Sequence, residues 1–278
     1  MKNWLVVLGV LGVGGMAHGD IKYATETTIA GAPAGTPKTV TLRAVKPNFE
    51  RSETTQKFGP METKTVSLRE CGKKQTIQLA PDLKIYAVIP DYGSEGDAGG
   101  GTGSTPGANK PTTGKMVMTY AVKDLGEETI LNFKTRHYMI ETEMVSSGCA
   151  GNGTTKLKQE IWVSDVRDAN PCPNENSITS MSQAMSRRDC KIEVETKGDF
   201  EKYTEIYKGL VLRQIMYNGD APFMTIEVTM LSQAKLGDEL FTIPADFKKV
   251  SPEEFQKAQS EAMVKAMQAG IRIEPNDD

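Results

Sequence analysis

Short runs in which apolar and polar residues alternate recur along this chain, the period-2 signature of half-buried strands. In residues 38–45, Val40, Leu42 and Ala44 share one face, against Thr41 and Arg43 on the other. Val66 and Leu68 do the same in residues 64–70, and a Cys-Gly-Lys-Lys turn then leads to Ile77 and Leu79. After a second turn at 81–84, the run Ile85–Pro90 follows. Short strands at this regular spacing predict a meander of the kind found in sandwiches, barrels and curved antiparallel sheets. The pattern resumes at 115–122, where Met116, Met118 and Tyr120 share a face, and continues through 127–133 and 136–145. In 156–166, Leu157, Ile161 and Trp162 do not fit one face, so a bulge or twisted end is expected there. Two longer strands, 209–217 and 223–234, flank Asn218-Gly219-Asp220, and Asn-Gly is a strong hairpin signal. The segment 239–244 is expected to close the sheet.

Helical spacing is confined to three places. Ile178, Met181 and Met185 stand three and four apart within 176–189, and a short helix fits 199–207. The clearest helix is 251–269, where Ser251 and Glu254 form a capping box and Pro252 suits the first turn. Its apolar stripe is Phe255, Ala258, Ala262, Ala266 and Met267, and Gly270 ends it. Residues 93–114, rich in Gly, Thr and Pro, hold almost nothing to bury and read as a flexible insertion in a hairpin. They lack the phosphate-loop spacing, since Lys115 is followed by Met116 and position 109 is Asn. The expectation is an α+β fold: one antiparallel β-rich domain over 20–250, a C-terminal helix over 251–270 and an acidic tail over 271–278.

The N-terminus changes where such a domain would work. Lys2, the apolar run Trp4–Met16 and the small residues Ala17 and Gly19 form a signal-peptide pattern over residues 1–19. The run is shorter than the roughly 20 residues needed to span a bilayer. No Cys follows the small residues, and no second long apolar stretch is present. A soluble periplasmic or extracellular protein, not an integral membrane protein, is expected. Removing Lys2 with the leader shifts the formal charge from −3 to −4, and the mixed, mildly acidic balance excludes a nucleic-acid footprint. All four cysteines, Cys71, Cys149, Cys172 and Cys190, lie beyond the leader, which favours disulfides over metal binding. Of the three connectivities the short loop favours Cys172–Cys190, leaving Cys71–Cys149. No metal site and no cofactor are expected, because no CxxC or HxxxH spacing occurs and His137 is the only histidine beyond the leader.

His137 is the one imidazole available for acid–base chemistry, on a strand with Thr135 and Met139 on its own face and Arg136 and Tyr138 on the other. No GxSxG, HExxH or Cys-His signature accompanies it, so a structural strand histidine is the simpler reading and no catalytic residue is assigned. The pair Glu127-Glu128 faces opposite sides of a strand and forms no carboxylate dyad. Methionine is more distinctive, with 14 in the chain. Its flexible thioether fills irregular cores and also lines adaptable apolar sites. The candidate ligand-binding set is Met116, Met118, Met139, Trp162, Met216, Met224 and Met230.

Several segments together carry a resemblance: 65–90, 128–142, 158–165 and 223–250, the last with a Phe-x-Ile-Pro ending. They resemble an uncharacterised family of exported bacterial proteins, a domain of unknown function similar to the lipoprotein-carrier half-barrels. The resemblance implies a strongly bent antiparallel sheet with helices over its concave side and an apolar cavity. It implies no catalytic residues. The Gly-rich insertion and the four cysteines depart from the carriers. The function expected is non-enzymatic binding of a lipid or a lipidated protein. A hydrolase around His137 and a structural or interaction module of the cell envelope are the alternatives.

Overall fold

Alternating residues build strands only where neighbours complete their backbone hydrogen bonds, and among the described residues thirteen strands do so in one sheet. The computed structural model describes residues 20–32, 36, 38–58, 61–90, 112–166 and 190–270. The first six strands are β1 (Ile21–Ile29), β2 (Thr39–Lys46), β3 (Phe49–Phe58), β4 (Met61–Glu70), β5 (Gln75–Ala80) and β6 (Ile85–Pro90). They run as an antiparallel meander in which each strand pairs with the next. β1 and β3 escaped the sequence pattern; in β3, Glu50, Arg51 and Glu53 put charge on both faces. β7 (Thr112–Ile130) and β8 (Phe133–Gly148) form a long hairpin, turning at Leu131 and Asn132 with φ of 51° and 67°. β7 thus begins inside the stretch read as the flexible insertion, whose residues 93–111 lie outside the described residues. So do the leader over 1–19, the candidate helix at 176–189 and the tail over 271–278.

β9 (Gly153–Ser164), β10 (Cys190–Gly198), α1 (Phe200–Ile206), β11 (Val211–Asn218), β12 (Ala221–Gln233), β13 (Lys248–Lys249) and α2 (Pro252–Gly270) complete the fold. The sheet order is β10-β7-β8-β9-β11-β12-β1-β2-β3-β4-β5-β6-β13. It is one large, open, mixed sheet with two α-helices among the described residues. The expectation of a purely antiparallel sheet is corrected at both edges, where β10 pairs parallel with β7 and β13 parallel with β6. Nor does β9 carry the expected bulge. Its register with β8 is unbroken, and the irregularity lies opposite, between Val211 and Arg213 of β11. Leu157 and Ile161 therefore lie on one face and Trp162 on the other.

Residues 239–244 do not form a closing strand. Asp238–Phe241 is a turn of 3-10 helix within a strap, residues 234–250, that crosses the sheet from β12 to its far edge. The Leu236 amide donates to Asp20 Oδ2 at 2.6 Å, and Lys46 pairs with Asp238. Arg51 Nη1 donates to the Leu240 carbonyl at 3.2 Å. Lys46 Nζ also lies 4.9 and 4.6 Å from the rings of Phe49 and Phe241, within cation–π reach. Ile243 and Phe247 pack on Val66, Leu68 and Leu79, after which β13 docks on β6. The capping box of α2 forms as expected: Glu254 N donates to Ser251 Oγ at 3.1 Å, and Ser251 N to Glu254 Oε2 at 2.9 Å. Phe255, fully buried against Ala80 and Ala87, anchors the helix.

Both expected cysteine pairings are overturned, because Cys149 is joined to Cys190, with Cα atoms 5.7 Å apart. The parallel register sets Cys190 opposite Thr112, while the Cys149 amide donates to the Thr113 carbonyl at 3.3 Å. Two glycines permit this approach. A Cβ on Gly148, at φ +67°, would stand 2.5 Å from the Thr113 oxygen, and one on Gly114 would stand 2.7 Å from Ala150 N. Proximity in sequence is no guide when the sheet brings the two cysteines together around β7. Cys71 is also disulfide-bonded, and Cys172 lies outside the described residues.

The Cys149–Cys190 bridge spans a sequence separation of 41 residues, for which the chain-entropy model gives about 4 kcal/mol. Replacing both cysteines with Ser should lower the urea midpoint accordingly and accelerate amide exchange first in β10. An unchanged midpoint and unchanged exchange in β10 would show that the bridge carries no tension against unfolding.

Candidate functional site

Residues directly opposite in an antiparallel ladder project from the same face, so the register sorts every candidate side chain. One row runs Val122, Ile140, Gln159, Met216, Met224, Ile29 across six strands. On the same face Met118 stands opposite Met144, and Thr142 opposite Leu157. α1 lies on this face. β10 leaves the ladder at Gly198, where a Cβ would meet the Tyr120 oxygen at 2.2 Å. α1 then takes over the bonding of β7: Val122 N donates to Asp199 Oδ2 at 2.9 Å, and Lys202 Nζ donates to Val122 O at 3.1 Å. Ile206 is buried among Val122, Ile140, Ile161 and Val163.

Aromatic rings fill the seam between α1 and the sheet. The Tyr203 ring centroid is 4.5 Å from that of Tyr120 and 4.8 Å from that of Tyr207. Burial, with Tyr203 adding to it, pushes the Tyr120 hydroxyl up to about 12, and burial pushes Tyr207 further in the same direction. These phenols stay neutral and act through hydrogen bonds. Gln159 Nε2 donates to Tyr207 Oη at 3.1 Å, and Gln214 Nε2 to Gln159 Oε1 at 2.6 Å. Beside this seam the face is apolar and half open, with Leu157 46% and Ile29 58% exposed and Met118, Met216 and Met224 half-buried.

The opposite face carries a row of His137 and charged partners around Trp162, which is itself buried in an apolar cluster with Ile130, Leu210, Leu212 and Val228. His137, Trp162, Arg213 and Glu227 are successive ladder partners. The His137 ring stacks on Trp162 at 3.9 Å between centroids, and the Arg213 guanidinium lies 5.3 Å from the Trp162 ring centroid. His137 Nε2 is 2.8 Å from Glu160 Oε2, and Nδ1 is 3.3 Å from Glu128 Oε1. Tyr217 Oη donates to the second Glu160 oxygen at 2.7 Å. That carboxylate, chiefly through its hydrogen bond and then with burial, pushes the Tyr217 hydroxyl up to about 12. With a carboxylate oxygen at each nitrogen, the ring is clamped in place.

The structure therefore divides the methionine set. Met116, Met118, Met216 and Met224 share the α1 face, the first two packed beside Cys190 and Ile192. Met139 and Trp162 lie on the His137 face. Met230 also leaves the set, because the bulge at Thr229 pairs it with Ala24 and turns it to that other face, 42% exposed. The set lines no single cavity among the described residues. A cleft of about 300 Å3 instead opens at the C-terminal end of α1, over Tyr138, Val163 and Ile206 and between charged side chains of β7, β8, α1 and the residue after β9. No sequence signal marked it, since its residues come from four separate elements. Among the described residues no group of three or more His, Cys, Asp or Glu side chains is placed to hold a metal ion. Nor, among those residues, is any helix long and apolar enough to cross a membrane.

Fold and site together define a mostly-β protein on one open mixed sheet, disulfide-bonded, with a methionine-rich face and, on the other side, a His137–Trp162–Arg213 row against a buried apolar cluster. No protein-family model matches the sequence, and no curated protein matches it. Among solved structures, the crystal structure of LprF from Mycobacterium bovis is similar at 11% identity, covering 83% of this chain and 90% of that chain, with a TM-score of 0.33.

Raising the Tyr217 pKa from 10.0 to about 12 makes its contribution to stability full below pH 10 and lost as the pH climbs through 12. Ultraviolet titration of the protein minus its Tyr217→Phe variant should isolate one phenol ionising near that upper value. In a Glu160→Gln background the same difference should move down toward 10. A difference titration centred on 10 in both backgrounds would show that Glu160 does not hold the phenol.

Proposed function

We propose that this is an exported, non-enzymatic protein that binds the acyl chain of a lipid or of a lipidated partner on the methionine-rich α1 face. One observation carries the proposal. The register puts Met118, Met144, Leu157, Met216, Met224 and Ile29 on one face, a half-open and largely apolar belt that runs diagonally beside α1, past Thr142 and Gln159. From β7 to β12 the belt crosses four inter-strand steps, roughly 19 Å at about 4.8 Å each. That matches the roughly 15 Å of hydrocarbon in one bilayer leaflet. Thioether side chains suit such a ligand because they adapt to a flexible chain without a fixed shape. In this reading the sheet bends, half-barrel fashion, around the α1 face. The leader-like N-terminus and the disulfide-bonded cysteines support export to an oxidising compartment. The clamped geometry of His137 supports the non-enzymatic part.

The test compares the two faces. Met216→Asp and Met224→Asp should each weaken uptake of a fluorescent fatty acid about tenfold or more, with circular dichroism unchanged. Met230→Asp, on the far face, should leave uptake as it was. Equal losses in all three variants, or absence of uptake together with no co-purified lipid in native mass spectrometry, would sink the reading.

A further inference from the structure

The cleft at the end of α1 has a charge pattern that the acyl-chain reading does not use. Five charged side chains reach it: Glu127, Lys134, Arg136, Asp165 and Glu205. Three are already engaged. Arg136 bonds Asp124 Oδ2 at 2.7 Å and lies 3.9 Å from Glu127, and Glu205 pairs with Lys208. The Arg136 bond holds the Asp124 carboxyl below its usual range, so that pair stays ionised and mutually neutralised. What remains is one ammonium, Lys134, and one carboxylate, Asp165, neither with an ion-pair partner among the described residues. They flank Thr135 and Ser164, an opposed ladder pair of β8 and β9. Ladder neighbours stand about 5 Å apart at Cβ, a separation suited to two opposite charges on one small group. Beneath them Val163 and Ile206 form an apolar floor, and the buried Thr135 and Ser164 hydroxyls are spent on the Glu128 and Leu210 carbonyls.

We infer that this cleft takes a zwitterionic head group, an ammonium joined to a phosphate or carboxylate, with Lys134 facing the anion and Asp165 the cation. Resting on the acyl-chain reading, the inference names the ligand class as a zwitterionic amphiphile. Size agrees with this division. A cleft of about 300 Å3 stands at the lower limit of small-molecule sites, enough for a head group and too little for a whole lipid. Connection agrees as well. Val163 in the cleft is four residues along β9 from Gln159, which is opposite Met216, about 13 Å of strand. A head group held at the cleft therefore leaves its chain beside Gln214 and Ile226, on the way to the methionine belt.

The measurement is binding of lysophosphatidylethanolamine and lysophosphatidylglycerol of one chain length to the full mature protein. The wild type should prefer the zwitterionic lipid by about tenfold, the value of one charge-assisted contact. Lys134→Asp should weaken both lipids, which share the phosphate, and keep the preference; Asp165→Lys should abolish it, and the two together, exchanging the charges, should restore it. Equal binding of both lipids by the wild type, or a preference that survives Asp165→Lys, overturns the inference while leaving the acyl-chain reading intact. If neither lysolipid binds, the acyl-chain reading fails, and free phosphoethanolamine decides the cleft. Saturable binding lost in Asp165→Lys supports it as a head-group site alone, and no binding overturns it.

Discussion

Cross-strand register is the constraint on which the rest of this structure depends. In a sheet of thirteen strands, a slip of one residue between any two strands would move a whole set of side chains to the other face. Four irregularities set the outcome here: Leu125 in β7, the break between Val211 and Arg213 in β11, and Phe223 and Thr229 in β12. Each adds a residue to one strand, and the residues beyond it on that strand change face relative to a strict alternation. Which side chains join the methionine-rich face and which join the His137 row is a product of those bulges as much as of composition.

A sheet this wide also has to cover apolar surface with few helices and manage two open edges. The strap from Leu236 to Val250 and the short α1 do most of the covering, and each is tied down by polar bonds to backbone or charged groups. The edges are treated differently. β13 is only two residues long, with α2 close behind it, whereas β10 runs nine residues with Lys191, Glu193, Glu195 and Lys197 alternating along it. Charges on an edge strand discourage pairing with another chain, and the disulfide fixes the start of that strand to the tip of β8. The parallel pairing, the glycines at 114 and 148 and the bridge form one device.

The two faces divide the chemistry between them. On one, Glu128 and Glu160 hold His137, Glu227 holds Arg213 over the Trp162 ring, and Trp162 Nε1 is buried without a hydrogen-bond partner among the described residues. On the other, neutral phenols and glutamines end in a half-open apolar belt. On the same face, about 13 Å of strand from the Gln159–Met216 pair, lies a cleft in which one charge of each sign has no ion-pair partner among the described residues. Rigidity sits where the charges are. Adaptable surface sits where the methionines are.

Local physics made much of the fold legible from residue order. Alternation marked β2, β4 to β9, β11 and β12, the Ser251–Glu254 box marked α2, and Asn218-Gly219 marked the turn at which Gly219 adopts φ +61°. These depend on neighbours within a few positions, so the sequence alone determines them. It did not reveal β3, whose charges lie on both faces, nor β10 and β13, which are held by parallel partners far along the chain. Nor did it reveal that Met230 turns away from Met224 and Met216, or that Cys149 meets Cys190. Those facts are decided by register, bulges and crossovers, which arise only when distant strands bond. The sequence by itself determined which residues alternate; tertiary pairing decided which face, and so which chemistry, each of them serves.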